Sequence, residues 1–264
     1  MSPPMNVAVR IARQAGILAR EWFDRRHELE IKQKGINDPV TAADLMVEEE
    51  IRYHLKKAYP RYGILAEEKG GNLTQERPCW IVDPIDGTLN FAHGLPHFAI
   101  SIGLIEKNVL QGGVIYDPMR DELFTAERGR GAYLNDRRIR VTRPTEGMTH
   151  ALLATGFPHR KLHQLPGYLN AFEAFVKMVA DQRRQGSAAL DLAYVAAGRY
   201  DGFWECGLAP WDLAAGVLLV REAGGLVSDF ANQEGFLTSG NVIAAPDAIH
   251  GAMLEVIRNS GLAG

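Results

Sequence analysis

Disulfide bonds are not expected to organise this chain: among its 264 residues there are two cysteines, Cys79 and Cys206, far apart and without CxxC spacing. Reduced, buried thiols are the expectation, with no catalytic role for either. No apolar run approaches the roughly 20 residues needed to span a bilayer. The start, Met1-Ser-Pro-Pro-Met5, lacks the basic and apolar regions of a signal peptide, so a cytoplasmic protein that does not enter membranes is expected. An excess of one charge is also missing. A net charge of −3 with 23% charged residues gives no global field to attract nucleic acid or an anionic membrane, so any such binding must be local. Gly129-Arg-Gly131 lacks the third glycine of a dinucleotide loop, and no P-loop lysine pattern occurs. There is no internal repeat, low-complexity tract or long linker. What the chain does have is 46% hydrophobic residues, enough for a large core built as one domain or as two closely joined halves.

Periodicity divides those residues into two styles. Val7, Ile11, Ala15, Leu18 and Trp22 have the spacing of an amphipathic helix, and Ile31 to Lys34 reads as a short extended piece before a loop at Gly35, Asn37, Asp38 and Pro39. Thr41-Ala-Ala-Asp44 resembles a capping box opening a second helix, with Val47, Ile51, Leu55 and Ala58 as its buried stripe and Pro60 beyond its end. Strands follow at Gly63–Ala66, Trp80–Val82, Phe98–Ile105, Val109–Tyr116, Glu122–Ala126 and Arg138–Val141, read as an antiparallel meander packed on the first two helices. After about residue 145 the pattern alternates. Strands are expected at Ala151–Thr155, Gln182–Arg184, Gly202–Glu205, Leu226–Asp229 and Val242–Ala245, and helices at Leu165–Ala180, Leu190–Ala197, Asp212–Ala223 and Asp247–Asn259. The expected organisation is an α+β half over 1–145, with an antiparallel sheet, and an α/β half over 146–264, the two sharing one core and one cleft.

Four acids stand at the ends of elements: Glu67, Asp83, Asp86 and Asp212. In Trp80-Ile-Val-Asp-Pro-Ile-Asp-Gly-Thr-Leu-Asn-Phe91 an apolar strand delivers two carboxylates three residues apart. They repel one another unless a cation intervenes, and hard ions such as Mg²⁺ take oxygen ligands of this kind. A polar Asp-Pro and Asp-Gly turn is the plainer alternative. Asp212 in Pro210-Trp-Asp-Leu-Ala-Ala is equally an N-cap, Asp44 a capping-box acid and Glu67 a surface acid.

Together, Asp38-Pro-Val-Thr-Ala-Ala-Asp44, Asp83-Pro-Ile-Asp-Gly-Thr-Leu-Asn90 and Trp211-Asp-Leu-Ala-Ala-Gly216 resemble the inositol monophosphatase family, most closely its bacterial members. Glu67-Glu68, Gly186-Ser-Ala188 and Ala189 to Asp201 extend the likeness over nearly the whole chain. The resemblance implies an α+β fold, a layered αβαβα sandwich shared with fructose-1,6-bisphosphatase. It also implies a Li⁺-sensitive, Mg²⁺-dependent phosphatase, a homodimer with two or three ions per site, acting on a small phosphorylated polyol such as inositol 1-phosphate. Glu67, Asp83 and the Ile85 carbonyl would hold one ion, and Asp83, Asp86 and Asp212 a second; a third, weaker ion is implied near Glu67. Catalysis would fall to Glu67, to Thr88, which orients the attacking water, and to Asp44 behind it as proton acceptor. Substrate would meet Asp83, Gly87, Thr88, Asp212, Gly186, Ser187, Ala188 and Glu205. The leaving group would be protonated by water from the second ion's shell, since no histidine is obviously placed as general acid. Two departures occur: Ala66 stands where Gly is usual, and Leu89 where a second hydroxyl residue is common.

His93 and His97 have the spacing of a helical zinc pair, but Gly94 and Pro96 between them argue for a loop closing near the site. Arg128, Arg130, Arg137, Arg138, Arg140 and Arg143 read either as a solvated hairpin balanced by Glu127 and Asp136 or as a surface for RNA or an acidic protein. Some bacterial members of the family are associated with transcription, so a regulator of ribosomal RNA synthesis is the alternative of a different class. Fructose-1,6-bisphosphate, histidinol phosphate and a 3′-phosphonucleotide are the alternative substrates.

Overall fold

The structure, a computed structural model, describes residues 1–29, 31–35, 38–144 and 146–262, with side chains from 31 to 39 outside the description. Helix α1 (Pro3–Asp24) opens on two prolines, whose missing N–H groups cost nothing in a first turn. Its buried stripe is Met5, Ala8, Ile11, Ala12, Ala15, Ala19 and Phe23, rotated from the expected one so that Val7, Leu18 and Trp22 are only half-buried. The alanines allow close approach, and Gly16 completes it: a Cβ there would lie 2.4 Å from the Tyr116 ring. Strands β1 (Ile31–Gly35) and β2 (Asp38–Thr41) pair antiparallel. Of the expected loop, residues 36 and 37 lie outside the described residues, and Asp38 and Pro39 belong to a strand. Thr41 then caps α2 (Ala42–Ala58) through the expected box, its Oγ1 accepting the Ala43 N–H at 3.2 Å. Ala58 is exposed rather than buried, while Ala43, Asp44 and Glu48 are buried instead.

The first sheet contains β3 (Gly63–Ala66), β4 (Cys79–Asp86), then, after the short helix α3 (Thr88–Ala92), β5 (Ala99–Glu106), β6 (Val109–Asp117), β7 (Glu122–Glu127), β8 (Gly131–Leu134) and β9 (Arg137–Ile139), in that spatial order. The meander is antiparallel from β4 onward, but β3 runs parallel to β4. That departure from the expected all-antiparallel sheet places the two acid-bearing strand tips at the same end. Strand β8 was not foreseen, because the turn residues around it obscure its alternation.

The second sheet has the order β11-β10-β12-β14-β13, built from β10 (Leu152–Thr155), β11 (Asp181–Arg183), β12 (Gly202–Glu205), β13 (Leu226–Ser228) and β14 (Val242–Ala245). Helices α4 (Leu165–Met178), α5 (Ala188–Ala196), α6 (Pro210–Glu222), the short α7 (Phe236–Ser239) and α8 (Asp247–Asn259) complete the chain. Layers follow from the packing. Helices α1 and α2 cover one face of the first sheet, α5 and α6 lie between the sheets, and α4 and α8 cover the outer face of the second. This is the expected αβαβα sandwich. Helix α6 is apolar all round, Leu213 to Val220 being buried without a break, because a sheet flanks it on either side.

The closeness of α6 to the first sheet depends on glycine. A Cβ at Gly113 of β6 would sit 2.8–2.9 Å from backbone atoms of Ala215, and one at Gly103 of β5 would be 2.8 Å from the Ala214 Cβ. Gly113→Ala is therefore expected to destabilise the fold by about 1–3 kcal/mol through overpacking, read as a lowered midpoint in urea unfolding; an unchanged midpoint would contradict this packing.

Candidate active site

In a regular strand, residues three apart point to opposite faces, so Asp83 and Asp86 should diverge. They converge because β4 bulges. Asp83 pairs with Ser101 and Asp86 with Ala99, so one strand takes three steps while the other takes two. The extra residue restores both carboxylates to one side, and Pro84, which has no N–H to donate, suits a bulge. The parallel register Ala66↔Val82 then sets Glu67 beside Asp83. The turn after Glu67 is held from below: buried Glu48 of α2 accepts the Glu68 N–H at 2.6 Å and the Lys69 N–H at 3.0 Å. Nothing in the sequence singles out Glu48, one of three consecutive glutamates early in the helix.

Asp212 arrives from the far side of the central helical layer. It is the third residue of α6 rather than its N-cap, and its Oδ2 accepts the Ala209 N–H at 2.7 Å. Asp86 is fixed from α5, accepting from the Ser187 hydroxyl and, at 2.8 Å, from the Ala189 N–H. Ser187 thus positions a carboxylate as well as lining the pocket. One oxygen of each of Asp83, Asp86 and Asp212 lies within 4.8 Å of the others, all three buried. Burial, reinforced by the neighbouring carboxylates, drives Asp83 well above the carboxylate range, Asp86 to about 7 and Asp212 to about 6. Clustered, buried, all-oxygen donors of this kind fit a hard divalent ion, which would replace mutual repulsion by attraction to a shared cation.

Next to this cluster, Gly87 takes a left-handed φ of 99° and leads into α3. A side chain is excluded there, since a Cβ would be 3.1 Å from the His97 carbonyl and 3.2 Å from that of Gly186. The Thr88 hydroxyl lies 2.9 Å from Asp44 Oδ1 and 3.1 Å from the Ile85 carbonyl. Asp44 uses its other oxygen to accept from the Thr41 N–H (2.8 Å) and hydroxyl (2.6 Å). Capping and contact with Thr88 are therefore carried by opposite oxygens of one carboxylate, which burial raises to about 6.

One pocket is lined by Glu67, Asp83, Ile85, Asp86, Gly87, Thr88 and Asp212, and also by Gly186, Ser187, Ala188 and Glu205. Asp44 lies buried behind Thr88. Burial raises Glu205 to about 8, and its carboxyl rests on Gly156, where a Cβ would be 2.1 Å away. Among the other lining residues are two charged ones that were not foreseen, Asp191 and Arg160, and Arg184 joins them. The signal for Asp191 was available, a lone acid in the otherwise apolar helix Ala188–Ala196; Arg160 has none. His93 and His97 do not share a helix. Helix α3 ends at Ala92, Gly94 has a φ of 74°, and Asn90 Nδ2 ties the His97 carbonyl to that of Gln185, each at 2.8 Å.

The comparisons agree with this architecture. The inositol monophosphatase family model matches residues 1–262, and the chain belongs to that family. It is 49% identical over 259 residues to a protein named Nus factor SuhB from Haemophilus influenzae, covering 98% of this chain and 97% of that one. Among solved structures, the extragenic suppressor protein suhB from Bartonella henselae is similar, with a TM-score of 0.93, 43% identity and coverage of 97% and 99%. An IMPase of Thermotoga maritima has a TM-score of 0.88 at 35% identity, with 97% of each chain covered.

The raised carboxyls fix a pH dependence. Asp44, Asp86, Asp212 and Glu205 titrate higher in the folded protein than in the unfolded chain. The folded state therefore binds more protons, and stability falls as pH rises through the folded values. In chelator, the melting temperature should drop between about pH 5 and about pH 8, and Mg²⁺ should shrink the drop by letting the carboxylates ionise beside a cation. A melting profile that Mg²⁺ leaves unaltered across this range would argue against the cluster as a cation site.

Proposed function

We propose that the chain is a Mg²⁺-dependent hydrolase of small phosphomonoesters, with inositol 1-phosphate as the preferred candidate substrate. The observation that carries this reading is the convergence of Asp83, Asp86 and Asp212 with Glu67 at the parallel strand tips. Glu67, Asp83, Asp212, Asp86 and the Ile85 carbonyl would hold Mg²⁺, which when bound would neutralise the phosphate dianion and acidify the attacking water. The chain's own residues do the orienting. Thr88 gives its proton preferentially to the Asp44 carboxylate, a stronger acceptor than the Ile85 carbonyl, which leaves its oxygen to accept from a water. Asp44, raised towards neutrality by burial, is suited to take a proton relayed through that hydroxyl. Glu205, protonated near neutral pH, offers a donor to a hydroxyl of the substrate, and Gly186 to Ala188 flank the same alcohol side.

A panel of inositol 1-phosphate, fructose-1,6-bisphosphate, histidinol phosphate and a 3′-phosphonucleotide tests this reading through phosphate release with Mg²⁺, with chelator and with Li⁺. Release should require Mg²⁺ and fall with Li⁺; no Mg²⁺-dependent release from any of them would sink the proposal. Asp86→Asn should lower turnover by about a hundredfold or more, because it removes a ligand charge at nearly constant shape, while circular dichroism shows the fold retained. Undiminished turnover would mean that the ligand set is misassigned.

A second role is supported by a different surface. Arg128, Arg130, Arg137, Arg138, Arg140 and Arg143 are all exposed, and among the described residues none pairs with a carboxylate. Glu127, expected to balance them, is buried and accepts the Ser2 N–H at 2.8 Å instead. With the name of the Haemophilus influenzae relative, this favours binding to RNA or to an acidic surface of the transcription machinery, in addition to phosphatase chemistry. Affinity for structured RNA should weaken steeply with salt; no binding at low salt would remove this role. A homodimer is the proposed assembly.

A further inference from the structure

We propose that Arg160 is a built-in counter-cation that occupies the acid cluster when no metal is bound and that a divalent ion must displace. The inference rests on the ligand assignment proposed above and adds a competitor to it. The guanidinium spans two of those carboxylates with different nitrogens, one 3.8 Å from Glu67 Oε1 and the other 3.5 Å from Asp212 Oδ2. Both acids are nearly closed off, with 9% of each side chain exposed, whereas 40% of Arg160 remains exposed. A partly exposed outer cation thus faces nearly enclosed inner anions.

The loop that carries Arg160 is anchored on both sides of it. After β10, the Phe157 ring packs edge-on against Tyr168 with centroids 5.9 Å apart. The Lys161 N–H returns to the Pro158 carbonyl at 3.0 Å, and Lys161 Nζ donates to the Ser239 carbonyl at 2.9 Å. The backbone is held over the site, and the Arg160 guanidinium reaches the acids from the solvent side. Its distances to the acids are those of ion pairs rather than of well-formed hydrogen bonds. A divalent ion carries twice the charge and approaches carboxylate oxygens to about 2.1 Å, so it wins the same oxygens. The cost to the protein is a weaker metal affinity; the gain is a metal-free state in which buried like charges have a partner.

Isothermal titration of Mg²⁺ into the wild type, Arg160→Gln and Arg160→Lys, together with melting in chelator and in saturating Mg²⁺, tests the idea. Arg160→Gln should bind Mg²⁺ about three- to tenfold more tightly. It should melt a few degrees below the wild type in chelator and alongside it in Mg²⁺, and Arg160→Lys should stay close to the wild type in both. Unchanged or weaker Mg²⁺ binding by Arg160→Gln, or a melting loss equal with and without Mg²⁺, would overturn the counter-cation role while leaving the ligand assignment intact. Failure of the wild type itself to bind Mg²⁺ would instead overturn the assignment and this inference with it.

Discussion

Repulsion between carboxylates buried at the junction of two sheets is the constraint on which the rest of the structure depends. A cluster of Asp83, Asp86 and Asp212, with Glu67 beside it, is unfavourable for folding by itself. The fold opposes this with fixed partners: Ser187 and the Ala189 N–H for Asp86, the Ala209 N–H for Asp212 and the Ile85 N–H for Asp83. Each comes from the start of a helix or from the bulge, where backbone N–H groups lack partners within their own element. The αβαβα layering matters here because it directs two such sources, α5 and α6, at the tips of the first sheet.

A comparable division of partners occurs at Asp44. Asp44 lies outside the cluster of Asp83, Asp86 and Asp212, yet it is as buried as they are. Its capping bonds to Thr41 fix the carboxylate so that the second oxygen can meet Thr88. A helix cap has thereby become the support of a hydroxyl in the pocket. The general lesson is that capping and site chemistry are not alternatives at Asp44 or Asp212, although from sequence they had to be weighed as such.

Much of this was legible in the chain because the informative residues are contiguous. The run Asp83 to Asn90, the box Thr41 to Asp44 and the helix from Asp247 to Asn259 each contain their own signal, and the structure has them as read. What stayed hidden depends on pairing across long separations. The parallel β3–β4 register decides that Glu67 meets Asp83, and the bulge decides that Asp83 and Asp86 face the same way, but neither leaves a local periodicity. Glu48 and Arg160 act on residues about 20 and more than 50 positions away, so their composition alone reads as an ordinary surface. The buried stripe of α1 was misjudged for a related reason. Its true face is lined largely by small residues, alanines and Gly16, whose value lies in how closely they let neighbours such as Tyr116 (at Gly16) and α2 approach rather than in their own hydrophobicity.

Sheet order also bears on whether one chain can combine phosphomonoester hydrolysis with a second, surface-borne role. Strands β3 and β4, which carry the acid tips, stand at one edge of the first sheet, and β8 and β9, which carry or adjoin the arginines, stand at the other. Four inter-strand spacings separate β4 from β8, on the order of 19 Å at the usual 4.8 Å each. Over such a distance, exposed charges are largely screened at physiological ionic strength. The arginine surface can therefore attract an anion without perturbing the acid cluster electrostatically, so the two proposed roles do not exclude one another. Besides the strands between them, the two edges are linked mechanically by α6, which carries Asp212 at its start and Glu222 at its end, where Glu222 accepts the Gly129 and Gly131 N–H groups beside Arg130. A shift of this rigid element, packed between two sheets, would reach both the arginine edge and the acid cluster.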